Sequence, residues 1–164
     1  AYVGTEIWIE GRSATSRASE QKDGVSHVEK GPLARALTDA DARPVKLLCI
    51  GSPDQIPALT RMLEAREADR VNLVNSEIEY LEVLPPGCHK LAGAVALCAH
   101  LGISLDEVIA FGDNKNDLEL LEGVGCGVAM ENAHPEVLAR VPRKIGSNQT
   151  DAIARFLIEV LGLS

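Results

Sequence analysis

The chain has almost no aromatic residues: one Trp, two Tyr and two Phe among 164 residues. That leaves too few stacking platforms for single-stranded nucleic acid. It also lacks an excess of cations, with 16 Lys and Arg against 24 Asp and Glu and a formal net charge of −8. Such a balance does not suit coating nucleic acid or an anionic membrane, although a locally positive pocket for a small anion is compatible with it. No run approaches the roughly 18 apolar residues of a membrane span, and the opening residues AYVGTEIWIEGR do not read as a signal peptide. The four cysteines, Cys49, Cys88, Cys98 and Cys126, stand 39, 10 and 28 residues apart, so no C-x-x-C pair offers a zinc ribbon or a thioredoxin-like redox centre. At least two lie in apolar periodic segments, which reads as reduced thiols in a soluble, cytoplasmic protein.

What is present suffices for a globular core, since 46% of residues are hydrophobic and 24% charged. A strand is expected over 2–9. The Ser-rich stretch 11–30 (GRSATSRASEQKDGVSHVEK) has only scattered apolar residues and reads as a long exposed loop. An apolar run at 45–50 predicts a buried strand, and Ser52-Pro53-Asp54-Gln55 starts a helix with Ser at the N-cap. Strands are expected at 71–75 and 78–84, and Pro85-Pro86-Gly87 marks a domain boundary.

Beyond that boundary, helices and short strands alternate. Leu91, Ala94, Val95, Cys98 and Leu101 form one apolar stripe, ended by Gly102. A strand is expected at 108–111, a helix around Leu118–Leu121, a strand at 127–130, a helix at 135–140, a strand at 143–145 and a last helix at 151–161. This alternation implies an α/β half with parallel strands.

The sharpest feature follows the strand at 108–111: Gly112-Asp113-Asn114-Lys115-Asn116-Asp117, then a helix. In an open parallel sheet, ligands bind beyond the carboxyl ends of strands, where these residues fall. Asp113 and Asp117 are oxygen donors of the kind Mg²⁺ prefers, and Asn116 can offer its amide to a phosphate oxygen. Spacing alone is also met by ordinary turn and N-cap chemistry.

More than spacing is available. The region from Leu81 to Leu161 resembles the haloacid dehalogenase-like hydrolases, specifically their Cof-type phosphatases. The G-D-x-x-N-D motif stands as Gly112, Asp113, Asn116 and Asp117, and the G-V-A-M-x-N-A run as Gly127-Val128-Ala129-Met130-Glu131-Asn132-Ala133. LEVLPPGCHKLAGAVALCAHLGIS resembles the segment carrying the family's motif-three lysine, which falls on Lys90, and Ser147-Asn148 resembles the element before the terminal helix.

The resemblance implies a Rossmann-like α/β core, of which 85–164 would be the C-terminal half, and a cap domain of α+β type, most of which would be 1–84. It implies Lys90, Asp113 and Asp117 as catalytic residues, with Lys90, Asn116 and Asn148 contacting phosphate. Asp113 and Asp117 would serve Mg²⁺, with Asp117 holding either Lys90 or a metal-bound water.

The family's nucleophile, the first aspartate of D-x-D-G-T, has no counterpart here. The one D-x-D, Asp39-Ala40-Asp41, precedes a strand, lacks Gly-Thr and reads as loop. Cys88 and His89 show no orienting third group and read as structural. The expectation is a phosphatase of a small phosphorylated metabolite whose nucleophile segment lies outside these residues, supplied by a complementing N-terminal segment or accompanied by homodimerisation. The alternative is a catalytically silent module that keeps a phosphate and Mg²⁺ pocket. The phosphorylation domain of a cation pump shares the G-D-x-x-N-D signature but would need membrane spans.

Overall fold

A computed structural model describes residues 1–163, and these divide into two compact units, Ala1–Gly87 and the chain from Cys88 onward.

In the first unit, β1 (Tyr2–Val3) and β2 (Glu6–Ile9) form a hairpin, where the sequence reads as a single strand over 2–9. Gly4, at φ +57°, makes the intervening turn, a conformation that costs glycine little. The stretch 11–30 is not a loop. It folds as α1 (Ala14–Asp23) and β3 (His27–Glu29), the latter parallel to β2. Helix α1 has no apolar stripe; what starts it is a reciprocal cap, with Ser13 Oγ accepting from Ser16 N at 3.0 Å and Ser16 Oγ from Ser13 N at 2.8 Å. Gly24, at φ +65°, closes it. Among its described side chains the buried ones are Ser16 and Ser19, small enough to pack without an apolar signature.

Helix α2 (Leu33–Asp39) follows, so Asp39 ends a helix and Asp41 takes a left-handed turn conformation at φ +46°. A second sheet pairs β4 (Leu47–Ile50), β6 (Tyr80–Leu84) and β5 (Asn72–Glu77) antiparallel in the order β4-β6-β5. Tyr2 and Lys46 bridge the two sheets. Helix α3 (Gln55–Glu67) starts later than the sequence suggests, with Asp54 and not Ser52 at the N-cap; Ser52 and Gln55 exchange backbone-to-side-chain hydrogen bonds across the turn before it, and Ile56 N donates to Ser52 O at 3.1 Å. Leu81, Ile56 and Trp8 are buried.

In the second unit, β7 (Ile109–Gly112), β8 (Cys126–Met130) and β9 (Lys144–Ile145) run parallel in that order. Helix α4 (Lys90–Leu101) precedes them, α5 (Leu118–Gly123) links β7 to β8, α6 (Pro135–Arg140) links β8 to β9, and α7 (Ala152–Leu161) follows. Ala110 and Ala129 pack with Leu118, Leu121, Val137 and Val141, so α5 and α6 cover one face. Side chains alternate along a strand, and Phe111 on the other face meets Phe156 of α7 edge-on at 5.6 Å between centroids. The result is a parallel sheet flanked on both faces, as the α/β alternation predicts. At Gly127 an added Cβ would overlap the backbone carbonyl of Leu121, so this residue lets α5 lie close against β8.

Candidate active site

The site is built at the carboxyl end of β7. The strand stops at Gly112, Asp113 and Asn114 make the bend, and Lys115–Asp117 form a single 3-10 turn leading into α5. The Asp117 carboxylate folds back over the bend: its Oδ2 accepts from the backbone N–H of Asp113 and of Asn114, each at 3.0 Å. Gly112 makes room for this, because a Cβ there would lie 2.5 Å from the Asp117 Cβ. The other oxygen, Oδ1, pairs with Lys90 Nζ.

Lys90 is the first residue of α4, and His89 caps that helix, its Nδ1 accepting from Ala92 N at 3.3 Å. The same nitrogen lies 3.0 Å from Glu119 Oε2, a contact that takes a proton on Nδ1 and so alternates with the cap, and it supplies the neighbouring carboxylate that the sequence does not reveal. Asp117 is only 4% exposed whereas the Lys90 side chain is 49% exposed, so the carboxylate is fixed and the ammonium keeps solvent access. Burial pushes the Asp117 carboxyl up, but the Lys90 hydrogen bond and the two backbone N–H groups outweigh it and hold the group below its usual range.

Asp113 is held at two points. Its Oδ2 accepts from Asn148 Nδ2 at 2.6 Å, and its backbone carbonyl accepts from His134 N at 2.7 Å. Asn148, after β9, is itself tied to Asn132, after β8, by two hydrogen bonds. Three strand-to-helix loops therefore converge on one carboxylate. Asn116 is in the same turn as Asp117, with a buried Oδ1 that has no hydrogen-bond partner among the described residues. Lys115 pairs with Glu136 of α6 at 3.0 Å, so Lys90 is the cation on Asp117.

The structure thus brings Lys90 to Asp117 and Asn148 to Asp113, while Asn116 adds an oxygen without a partner. Asn132 carries no expected role from the sequence; its signals are its place in the G-V-A-M-x-N-A run and its position two residues past the carboxyl end of β8. Among the described residues no group of three His, Cys, Asp or Glu could hold a metal ion. Both Asp117 oxygens are engaged, but Asp113 spends one bond of a carboxylate's several acceptor positions. The donors that are left are all oxygens, which fits Mg²⁺, an ion that needs only one or two carboxylates and keeps its waters.

Parallel strands covered on both faces, with carboxylates and a lysine beyond their carboxyl ends, define an α/β domain with its polar site at the strand ends. The model of the haloacid dehalogenase-like hydrolases matches residues 3–157, and the chain belongs to that family. It is 41% identical over 119 residues to a Citrobacter koseri protein named HMP-PP phosphatase, covering 71% of this chain and 44% of that protein. An Escherichia coli protein of the same name is 37% identical over 132 residues, covering 79% and 46%. The chain spans less than half the length of these curated relatives. Among solved structures, a haloacid dehalogenase-like hydrolase from Bacteroides thetaiotaomicron superposes with a TM-score of 0.81 at 28% identity, over 97% of this chain and 59% of that one. One from Bacillus subtilis shares the fold, with a TM-score of 0.80 at 22% identity, over 98% and 64%.

Proposed function

We propose that this chain carries the phosphate-positioning half of a phosphatase acting on a small phosphorylated metabolite. The observation that carries this reading is the pair of charge-assisted contacts at one strand end, Lys90 to Asp117 and Asn148 to Asp113. A phosphoryl group in transfer has charge spread over its oxygens, so catalysis rests on positioned donors and cations. Lys90, oriented by the buried Asp117, would hold the phosphate, with Asn116 and Asn148 as amide donors. Asp113 would hold Mg²⁺, which supplies charge neutralisation to the phosphoryl oxygens. Asp117 acts through Lys90; its engaged oxygens weigh against direct metal ligation.

In this reading 85–164 is the core half and 1–84 most of the cap, an assignment supported by the division of the chain after Gly87. The relatives' name, HMP-PP phosphatase, suggests an organic phosphate as substrate. No D-x-D-G-T occurs in the 164 residues, so the attacking carboxylate would come from a segment outside them. The same observation favours a second reading, a silent module that keeps the pocket.

The test is calorimetry of inorganic phosphate on this chain with Mg²⁺ present, followed by phosphate release from a panel of small phosphate esters with a D-x-D-G-T segment added in trans. The first reading expects phosphate binding, weakened about tenfold or more by Lys90→Ala as one charge-assisted hydrogen bond is lost, and hydrolysis on adding the segment. Binding without hydrolysis selects the silent module. No phosphate binding refutes both.

A further inference from the structure

The amide group of Asn148 can face Asp113 in two ways, and only one donates to the carboxylate. The hydrogen bonds around it decide which. A backbone N–H has no ambiguity of direction, and that of Asn148 donates to Asn132 Oδ1 at 2.9 Å. The Asn132 side chain is thereby fixed with its NH₂ on the other side, where Nδ2 donates to Asn148 Oδ1 at 3.0 Å. With its oxygen accepting from Asn132, Asn148 must turn its own NH₂ outward, and Nδ2 donates to Asp113 Oδ2 at 2.6 Å. The polarity runs in one direction, from a backbone N–H through two side-chain amides to the carboxylate. Flipping either amide would set donor against donor at one end and oxygen against oxygen at the other.

We propose that Asn132 is a positioning residue: through Asn148 it fixes which oxygen of Asp113 is hydrogen-bonded and which is left for a cation. Asn132 itself has no hydrogen bond to Asp113 among the described residues. Its effect is to remove the alternative in which the Asn148 carbonyl oxygen confronts the carboxylate. The His134 N–H on the Asp113 carbonyl fixes the backbone, so the side-chain bond from Asn148 is what restricts rotation of the carboxylate. The functional meaning rests on the proposed phosphatase reading, but the hydrogen-bond relay does not.

Asn132→Asp separates this role from a merely structural one. The new carboxylate keeps the shape and still accepts from Asn148 N–H, but it cannot donate to Asn148 Oδ1. In ¹⁵N-labelled, metal-free chain, one Asn148 Nδ2 proton is expected to resonate downfield and exchange slowly, and Asp113→Asn should identify it by abolishing the shift. The proposal expects Asn132→Asp to lose the same signature with the thermal midpoint held within a few degrees. An unchanged Asn148 signal overturns it. Asn132→Ala, which adds no charge, is the second variant: titrated with Mg²⁺ alone, it should bind about tenfold more weakly than the unaltered chain, the scale on which residues supporting a metal ligand act. Equal affinity overturns the functional half of the proposal. If the unaltered chain takes up no Mg²⁺ at all, the proposed function is what fails, and the Asn148 signature still decides the relay.

Discussion

Asp117→Asn is the sharpest probe of the site, because it changes charge and donor pattern while leaving volume nearly constant. The native carboxylate accepts three hydrogen bonds, from Lys90 Nζ on one oxygen and from Asp113 N and Asn114 N on the other. An asparagine has one acceptor oxygen. If that oxygen stays on the two backbone donors, its NH₂ meets the Lys90 ammonium, and the two surviving bonds fall to about half their charge-assisted strength. If it turns to Lys90, two backbone N–H groups lose their acceptor. The first arrangement is the cheaper, since Lys90 is half exposed and can be rehydrated. One charge-assisted bond lost and two weakened amount to about 3 kcal/mol.

The pH dependence gives the signature. The folded Asp117 carboxyl sits below its usual range, so its contribution is present above the unfolded pKa and disappears as pH falls through the folded one. A urea titration followed through the amides of Ala129 and Val137 should show a gap of about 3 kcal/mol between the two proteins at neutral pH. The gap should hold down to the ordinary carboxylate range and close below it. Equal stability at neutral pH, or a gap that persists unchanged in acid, refutes the reasoning.

Gly112→Ala should cost about 1–3 kcal/mol by forcing a Cβ into Asp117, and should weaken phosphate binding as Lys90 loses its anchor. In the Gly112→Ala/Asp117→Gly double variant that cost should vanish, whereas additive losses would show that the clash lies elsewhere. Ser13→Ala should remove about 1 kcal/mol from α1, read as faster amide exchange over Ala14–Asp23; an unaffected segment would mean that the cap is not what starts this helix. Leu81→Ala, at a fully buried position, should cost about 2–5 kcal/mol. Amide exchange in β4, β5 and β6 measures it, and a loss below 1 kcal/mol would contradict the close packing assigned to that site.

The second unit was legible because apolar content and periodicity coincide there: Ile109–Gly112 and Cys126–Met130 are short apolar runs, and α5 and α6 carry their buried residues at helical spacing. The stretch 11–30 was not, because its helix buries serines. Hydropathy patterning detects a helix through the apolar face it hides, and Ser16 and Ser19 pack by size with no such contrast. The cap of α1 was hidden for a related reason: Ser16 stands where the usual sequence signature has Glu or Gln, yet its hydroxyl reaches the Ser13 N–H just as well. Strand β3 is held from outside itself, by Glu20 accepting from His27 N at 2.6 Å and Arg12 donating to His27 O at 3.1 Å. Three residues of strand fixed by partners as far as 15 positions away leave no local pattern.

The site divides along the same line between local and distant determinants. Asp113, Asn116 and Asp117 were readable because a strand end, a bend and a helix start lie within six residues, and position on such an element fixes where a side chain emerges. Lys90 comes from 27 positions earlier, and motif order alone ties it to Asp117. Asn132 stands in the G-V-A-M-x-N-A run, but the run does not show its role, since what it does depends on Asn148, 16 positions on, which in turn depends on Asp113, 35 positions back. A single sequence shows residue types but not the direction of an amide dipole. That direction follows only when three loops meet and one backbone N–H, unable to flip, orients the two side chains beyond it.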